Sequence, residues 1–291
     1  MATPGQWWHG ARPRTLPAAV APVAAGTGVA AYAGGADAVL ALLSLVVALA
    51  FQVGVNYAND YSDGVRGTDA DRVGPMRLTA SGAASADAVR RAAFASFLLG
   101  AVAGLVIVVL TEQWWLLAVG AACMLAAWYY TGGASPYGYR GLGEVSVFVF
   151  FGLVATIGTA YVQTEQASWL ALVTASGVGA LACALLVVNN LRDIPTDAVA
   201  GKQTLAVRLG DRGTRWVYVG LMTAALVAVV VTAIGWTPWA LIALVAFVPA
   251  APPLGAVVGG ATGGALVPVL QATGIIQLLY GLSLGLGLSL A

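Results

Sequence analysis

Two short acidic motifs, one in each half of the chain, carry the groups best suited to chemistry. They are Asn59-Asp60-Tyr61-Ser62-Asp63 and the segment from Asn190 to Asp197, which contains Asp193. Residues three or four apart share one helix face, so each motif can point two carboxylates in one direction: Asp60 with Asp63, and Asp193 with Asp197. Mg²⁺ prefers oxygen ligands and commonly joins one or two carboxylates to a phosphate. The motifs therefore predict a site where Mg²⁺ holds a diphosphate and stabilises charge on its leaving oxygen.

Basic and amide residues near the motifs are candidates for contacts to the phosphates. Arginine offers a bidentate fork of donors, whereas lysine acts as a point charge. The candidates are Asn59, Arg66, Arg72, Arg77, Arg192 and Lys202, the last being the only lysine in the chain. An alternative interpretation is that the carboxylates are solvated helix caps and that the arginines only signal membrane orientation.

The composition indicates a protein with many membrane spans. Hydrophobic residues make up 60% of the 291 residues, charged residues make up 9%, and the mean hydropathy is +0.87. Soluble domains average about 25% charged residues, so the composition argues against a soluble domain. The net charge of +1 and the lack of a basic run argue against nucleic acid as a partner. Cys123 and Cys183 lie in apolar runs and are expected to be core residues, without a disulfide or metal role.

Nine apolar segments are long enough to cross a bilayer, which takes about 20 residues each. The predicted spans are Leu16–Tyr32, Val39–Ala58, Ala92–Leu110, Trp114–Tyr130, Val145–Val162, Trp169–Val188, Val217–Ile234, Trp239–Val258 and Leu270–Leu290. They predict an all-α polytopic membrane protein with a single domain over residues 1–291. We expect two tandem four-helix blocks plus a ninth helix around a central cavity. The acidic motifs then fall in two loops, at about 59–91 and 189–216.

The distribution of basic residues predicts the orientation in the membrane. With nine spans, all 13 Lys and Arg residues lie on one side. The positive-inside rule makes that side cytoplasmic. The start of the chain lacks the pattern of a signal peptide, so the first apolar run is expected to be a permanent span. In a cell membrane this arrangement places the N-terminus and both motif loops in the cytoplasm and the C-terminus outside.

At these residues the chain resembles the UbiA superfamily of intramembrane prenyltransferases. Members share an Asn-Asp-x-x-Asp motif after the second helix and an Asp-x-x-x-Asp motif after the sixth, on a nine-helix bundle, and this chain has both motifs. Within the superfamily it is similar to the branch that prenylates 1,4-dihydroxy-2-naphthoate in menaquinone biosynthesis. The segments that carry this closer likeness are Arg12–Pro17, Arg72–Leu78, Tyr130–Gly133, Gly141–Glu144 and Gly201–Gly210.

This resemblance implies a Mg²⁺-dependent reaction between two substrates. The four motif carboxylates would hold Mg²⁺ on the diphosphate of a polyprenyl diphosphate whose tail lies in the lipid bilayer. The naphthoate ring would attack the allylic cation and lose its carboxylate as CO₂, giving demethylmenaquinone. Lys202 would neutralise charge on the diphosphate, and Tyr139 and Tyr130 would offer π faces to the cation. For the acceptor, the implied contacts are Arg12 or Arg140 to the carboxylate and Glu144 to a hydroxyl, although Glu144 equally fits a helix cap.

Other functions remain open from the sequence. The nearest is another branch of the same superfamily with a different acceptor. A membrane phosphatidyltransferase also uses clustered Asp and metal, but the Asp-Gly-x-x-Ala-Arg motif typical of that class does not occur in this sequence. A transporter would place its ionisable groups near the middle of the spans. Here they lie near the predicted span ends, which favours an enzyme with a lipid substrate.

Overall fold

All regular secondary structure is helical in residues 2–67 and 76–291, the part of the chain that the computed structural model describes. The helices there are α1 Pro4–Gly10, α2 Pro17–Tyr32, α3 Ala38–Arg66, α4 Ala86–Thr111, α5 Leu116–Tyr129, α6 Gly143–Thr164, α7 Trp169–Val199, α8 Leu205–Gly235, α9 Pro238–Val258 and α10 Gly263–Ser289. Short 3₁₀ turns at Pro13–Thr15 and Tyr137–Arg140 connect some of them. The predicted all-α class is confirmed.

The helices are long and apolar enough to confirm a polytopic membrane protein. Within the described residues, seven helices are long and apolar enough to cross a membrane, namely α3, α4, α6, α7, α8, α9 and α10. An eighth span results if Pro4–Thr15 and Pro17–Tyr32, which meet at a bend of 50°, are counted together. Helix α5 is apolar but has only 14 residues. At about 1.5 Å per residue it is shorter than the roughly 30 Å hydrocarbon core.

Both acidic motifs lie on helices, which corrects the expectation that loops 59–91 and 189–216 carry them. Helix α3 continues to Arg66 and ends where Gly67 adopts a left-handed φ of 73°. Helix α7 continues to Val199, although Pro195 lies in its last turns. Hydropathy marks where the apolar part of a helix ends, but the hydrogen-bonded helix runs on until a residue such as glycine stops it. The carboxylates therefore sit on rigid extensions of spanning helices.

Glycines allow close contact between helices that surround the site. A Cβ atom placed on Gly28 of α2 would lie 2.5 Å from the Cα of Gly285 on α10. In the same way, a Cβ on Gly152 of α6 would lie 2.6 Å from the Cα of Gly179 on α7. Small residues at such contacts are the usual means of close helix packing in membranes. These contacts fix the first spanning helix against the last one, and α6 against α7.

Helix α7 is the central helix of the bundle. Of its most apolar 18 residues, 72% are buried within the protein, compared with 22% for α3 and 28% for α8. The second acidic motif extends directly from this buried helix. Its position is therefore set by packing on several sides.

Candidate active site

Two cavities meet near the C-terminal ends of α3 and α7. The polar cavity, of about 140 Å³, is lined by Arg12, Asn59, Asp63, Arg77, Tyr130, Thr131, Gly138, Tyr139, Leu186, Asn189, Asn190, Asp193, Thr196, Asp197, Lys202 and Thr204. The apolar cavity, of about 550 Å³, is lined mainly by aliphatic and aromatic side chains of α2 to α7. Five residues line both cavities: Arg12, Asn59, Tyr130, Leu186 and Asn189. The two spaces are therefore adjacent parts of one site.

Three of the four predicted metal-binding carboxylates line the polar cavity. Asp63 comes from α3, and Asp193 and Asp197 come from α7. Arg192 holds Asp193 in a bidentate pair, with its Nε and Nη2 atoms each 2.7 Å from a carboxylate oxygen. The side chains of this pair are only 3% and 7% exposed. Arg192 was expected to contact phosphate. In the structure it is not part of the cavity lining, and its guanidinium instead orients the Asp193 carboxylate.

Cations and a phenol surround Asp63. Its Oδ1 atom lies 3.6 Å from Nζ of Lys202, and its Oδ2 atom lies 3.7 Å from Nη2 of Arg77. The Tyr139 hydroxyl donates a hydrogen bond to Oδ1. The Lys202 ammonium also sits 4.7 Å from the centroid of the Tyr139 ring. Because these groups are largely buried, their electrostatic interactions are stronger than those of surface pairs.

Arg66, a predicted phosphate contact, lies outside the lining of the polar cavity. Its guanidinium donates hydrogen bonds to the carbonyl oxygens of Thr131 and Gly133. The Thr131 hydroxyl in turn donates to Oδ1 of Asn59 at 2.7 Å, and Asn59 does line the cavity. Arg66 therefore fixes the turn after α5. Arg72, another predicted phosphate contact, lies outside the described residues.

Asp60 also departs from its predicted place. Its Oδ2 atom accepts the backbone N–H of Leu78 at 2.8 Å, and its Oδ1 atom accepts the backbone N–H of Thr79 at 2.9 Å. The residue is 1% exposed. Among the described residues, the linings of both cavities include Asp63 but not Asp60. A spacing of three residues turns the helix by about 300°, so two neighbouring carboxylates can serve different surroundings.

Among the candidates for acceptor binding, the structure separates Arg12 from Arg140. Arg12 lines both cavities, and its backbone adopts a left-handed conformation with φ of 55° and ψ of 67°. A non-glycine residue in this region is uncommon and marks local strain. Arg140 is exposed and donates to the Ser135 hydroxyl. Glu144 is buried and accepts a hydrogen bond from Nδ2 of Asn190 at 2.9 Å, so it positions an amide of the polar cavity.

Several polar residues of the site were missed by sequence reasoning. Gln52 donates to the Thr15 hydroxyl at 2.9 Å, and Asn56 donates to the same oxygen at 3.0 Å. Both line the apolar cavity beside Arg12. Within the described part of the chain, neither Oε1 of Gln52 nor Nη2 of Arg12 has a hydrogen-bond partner, although both atoms are buried. The signal for Gln52 and Asn56 was their spacing of four residues on an otherwise apolar helix.

Tyr137 is a further polar group at the wall of the apolar cavity. Its hydroxyl donates to the carbonyl of Ala126 at 2.8 Å and lies 3.0 Å from the Ser146 hydroxyl. Burial raises the pKa of the Tyr137 phenol, an effect that the Ser146 contact partly offsets. The phenol therefore stays neutral and serves as a hydrogen-bond donor.

The oxygen ligands of the polar cavity fit Mg²⁺ shared with a substrate phosphate. No group of three or more His, Cys, Asp or Glu side chains in the described ranges is close enough to hold a metal unaided. Mg²⁺ typically takes one or two carboxylates, several waters and substrate phosphates, without a complete protein cage. The carboxylates that line the cavity are those of Asp63, Asp193 and Asp197, and the cations beside them are Lys202 and Arg77.

Comparison with known proteins identifies the family. Residues 19–254 match the model of the UbiA prenyltransferase family. The chain belongs to the UbiA prenyltransferase family. It is 54% identical to the 1,4-dihydroxy-2-naphthoate octaprenyltransferase of Mycobacterium tuberculosis over 283 residues, which cover 97% of this chain and 96% of that protein. The family resemblance predicted from the two acidic motifs is confirmed.

Solved UbiA structures share the fold. The apo structure of a UbiA homolog from Aeropyrum pernix K1 matches with a TM-score of 0.72 at 15% identity, covering 93% of this chain and 96% of that chain. A UbiA homolog from Archaeoglobus fulgidus bound to GPP and Mg²⁺ matches with a TM-score of 0.63 at 16% identity. The match covers 98% of this chain and 100% of that chain. At this identity the likeness concerns the UbiA fold alone.

Proposed function

We propose that this UbiA prenyltransferase transfers a polyprenyl group from polyprenyl diphosphate to 1,4-dihydroxy-2-naphthoate in menaquinone biosynthesis. Diphosphate and CO₂ are released, and the product is demethylmenaquinone or its quinol. The name of the relative at 54% identity supports the acceptor. The observation that carries the proposal is the junction of a small polar cavity, lined by three carboxylates and a largely buried lysine, with a large apolar cavity.

The diphosphate of the donor binds in the polar cavity. Asp63, Asp193 and Asp197 would hold Mg²⁺ beside it, and Lys202 and Arg77 donate to its oxygens. When bound there, Mg²⁺ would stabilise the negative charge that builds on the leaving diphosphate oxygen. The N–H groups of Lys202 and Arg77 stabilise the same charge from fixed positions. The allylic C–O bond breaks, and its electron pair leaves with the diphosphate.

The prenyl tail lies in the apolar cavity, with its reacting carbon at the junction. Tyr130 lines both cavities and therefore offers its ring to the allylic cation at that point. Tyr139, the other predicted aromatic group, is engaged with Asp63 and Lys202, so it acts on the diphosphate side. Aliphatic walls exclude water, which would otherwise capture the cation.

The acceptor naphthoate lies beside the junction, next to Arg12. The Arg12 guanidinium meets the acceptor carboxylate, and the buried Oε1 of Gln52 accepts from an acceptor hydroxyl. The electron-rich ring carbon that carries the carboxylate forms the new C–C bond to the allylic carbon. The bond to the carboxylate then breaks, CO₂ leaves, and the electron pair restores the aromatic ring.

The membrane arrangement completes the proposal. The short helix α5 serves as a ninth span, with Trp114 and Trp115 as interfacial anchors at its start, where they are 57% and 53% exposed. Residues 1–291 form a single domain in the cell membrane. Both acidic motifs and the N-terminus lie on the cytoplasmic side, since all 13 basic residues fall on that side of a nine-span topology.

A direct competition between acceptors tests the proposed substrate. Purified protein in lipid nanodiscs receives a polyprenyl diphosphate, Mg²⁺ and an equimolar mixture of 1,4-dihydroxy-2-naphthoate and 4-hydroxybenzoate. We expect prenylated, decarboxylated naphthalenediol to be the main product by mass spectrometry. Preferential prenylation of hydroxybenzoate, with its carboxylate retained, would instead assign the chain to another branch of the family.

A further inference from the structure

Asp60 contacts a turn of the backbone instead of the site itself. Both of its carboxylate oxygens accept backbone N–H groups, from Leu78 at 2.8 Å and from Thr79 at 2.9 Å. Hydrogen bonds to a buried carboxylate are charge-assisted and about twice as strong as neutral ones. We propose that Asp60 is a positioning residue that anchors this turn and thereby holds Arg77 in the polar cavity. This inference rests on the proposed function of that cavity in binding diphosphate.

The anchored turn places Arg77 directly at the site. Arg77 precedes Leu78 in the chain, is 8% exposed and lines the polar cavity. Its Nη2 atom lies 3.7 Å from Oδ2 of Asp63. The carbonyl of Arg77 accepts the backbone N–H of Ser81 at 3.1 Å and the Ser81 hydroxyl at 2.5 Å. The backbone on the C-terminal side of Arg77 is therefore held at three successive points.

Two glycines form the seat in which the turn rests. A Cβ atom on Gly64 would lie 2.6 Å from the Thr79 Cβ, so the missing side chain lets Thr79 lie directly on α3. A Cβ on Gly10 would lie 2.6 Å from Cδ1 of Leu78, which is fully buried. The two glycines therefore leave space for Leu78 and Thr79, the same two residues whose backbone N–H groups the Asp60 carboxylate binds. Close packing of the turn is expected if Asp60 positions it, whereas a metal ligand at position 60 would not require such packing.

Asparagine at position 60 separates the two roles. Its amide has one acceptor oxygen, so one of the two backbone N–H groups would lose its partner and face an NH₂ group. The turn would loosen and Arg77 would leave the diphosphate more often. If the Asp60 carboxylate bound Mg²⁺, neutralising it would instead lower the affinity of the protein for the metal.

The experiment compares Asp60→Asn, Arg77→Gln, their double variant and Asp63→Asn. Binding of geranyl diphosphate is measured in detergent over a series of Mg²⁺ concentrations, with no acceptor present, so the result does not depend on the identity of the acceptor. Hydrogen exchange of a peptide covering the Leu78 and Thr79 amides is followed in parallel. The proposal predicts that Asp60→Asn weakens diphosphate binding about tenfold at saturating Mg²⁺ and accelerates exchange. Half-saturation by Mg²⁺ should stay within twofold of the wild-type value, unlike that of Asp63→Asn.

The double variant and a neutral substitution complete the test. The double variant should bind diphosphate no more than twofold worse than Arg77→Gln, because both changes remove the same contact. Gly64→Val pushes the turn away without changing any charge, so it should weaken diphosphate binding in the way expected for Asp60→Asn. It therefore tests the proposal independently if Asp60→Asn fails to fold. A rise in the Mg²⁺ requirement of Asp60→Asn comparable to that of Asp63→Asn would overturn the proposal. Multiplicative losses in the double variant would overturn it as well.

Discussion

Replacing Lys202 by methionine tests the proposal that its ammonium group binds the diphosphate in the polar cavity. The ammonium lies 3.6 Å from Asp63 Oδ1, with its side chain 12% exposed. At an effective dielectric constant of about 20, two unit charges at this distance attract by about 5 kcal/mol. Only part of this is lost on substitution, because Arg77 and water remain near Asp63. A charge-assisted hydrogen bond to the substrate contributes about 1.5–3 kcal/mol, so kcat/KM for the donor should fall about 10- to 150-fold.

The assay for this prediction varies one substrate at a time. Initial rates for Lys202→Met are measured against donor concentration at saturating naphthoate, and then against naphthoate at saturating donor. We expect the loss to fall on the donor, with KM for naphthoate within about twofold of wild type. Lys202→Arg keeps the cation and can still stack on the Tyr139 ring, so it should recover at least tenfold of the lost activity.

Two results would refute this reasoning about Lys202. One is a Lys202→Met enzyme whose kcat/KM for the donor stays within twofold of wild type. The other is a loss that appears mainly in KM for naphthoate, which would place Lys202 in the acceptor site. The thermal midpoint of unfolding in detergent serves as the control, since a large drop would trace the loss to folding.

Three further substitutions test other parts of the site. Gly158→Leu, which fills the apolar cavity, should lower kcat/KM at least tenfold for a long-chain donor but little for dimethylallyl diphosphate. The control Gly220→Leu, on an exposed part of α8, should leave kcat/KM unchanged for both donors. Arg12→Gln should raise KM for naphthoate at least tenfold without affecting 1,4-naphthalenediol, which lacks the carboxylate, and Arg140→Gln should behave as wild type. Arg192→Met leaves Asp193 without its bidentate partner and should destabilise the protein by about 3–5 kcal/mol, which a lower thermal midpoint would reveal. Equal losses with both acceptors in Arg12→Gln would contradict a contact between Arg12 and the acceptor carboxylate. Equal losses with both donors in Gly158→Leu would contradict binding of the prenyl tail in the apolar cavity. An unchanged midpoint in Arg192→Met would contradict the stabilising role of the pair with Asp193.

The sequence predicted the membrane class and the two acidic motifs because both depend on local patterns. Apolar runs of about 20 residues indicate spans whatever surrounds them, and paired aspartates at helical spacing are visible without a structure. The helix ends were less predictable. Hydropathy falls at Ala58, but α3 continues to Arg66 because glycine stops it only at position 67.

Roles of individual charged residues depended on contacts between distant segments, which one sequence does not reveal. Asp60 and Asp63 looked equivalent by spacing, yet one binds a turn at residues 78 and 79 and the other faces the polar cavity. Arg192 looked like a phosphate ligand, yet its geometry is set by the neighbouring Asp193. Arg12 and Arg140 were indistinguishable by type, and the structure separates them because Arg12 lines both cavities whereas Arg140 is exposed.

The central claim is that the carboxylates of the polar cavity hold Mg²⁺ on the diphosphate of the donor. It is tested most directly by Mg²⁺-dependent turnover of polyprenyl diphosphate and 1,4-dihydroxy-2-naphthoate in wild type, Asp63→Asn, Asp193→Asn and Asp197→Asn. Asp87→Asn, whose side chain is 72% exposed and pairs only with Arg90 among the described residues, is the matched control. We predict that each cavity variant loses at least 100-fold in kcat/KM and needs more Mg²⁺, while Asp87→Asn and wild type stay alike and both stop on chelation. Turnover that persists in the three cavity variants with an unchanged Mg²⁺ requirement would contradict the account.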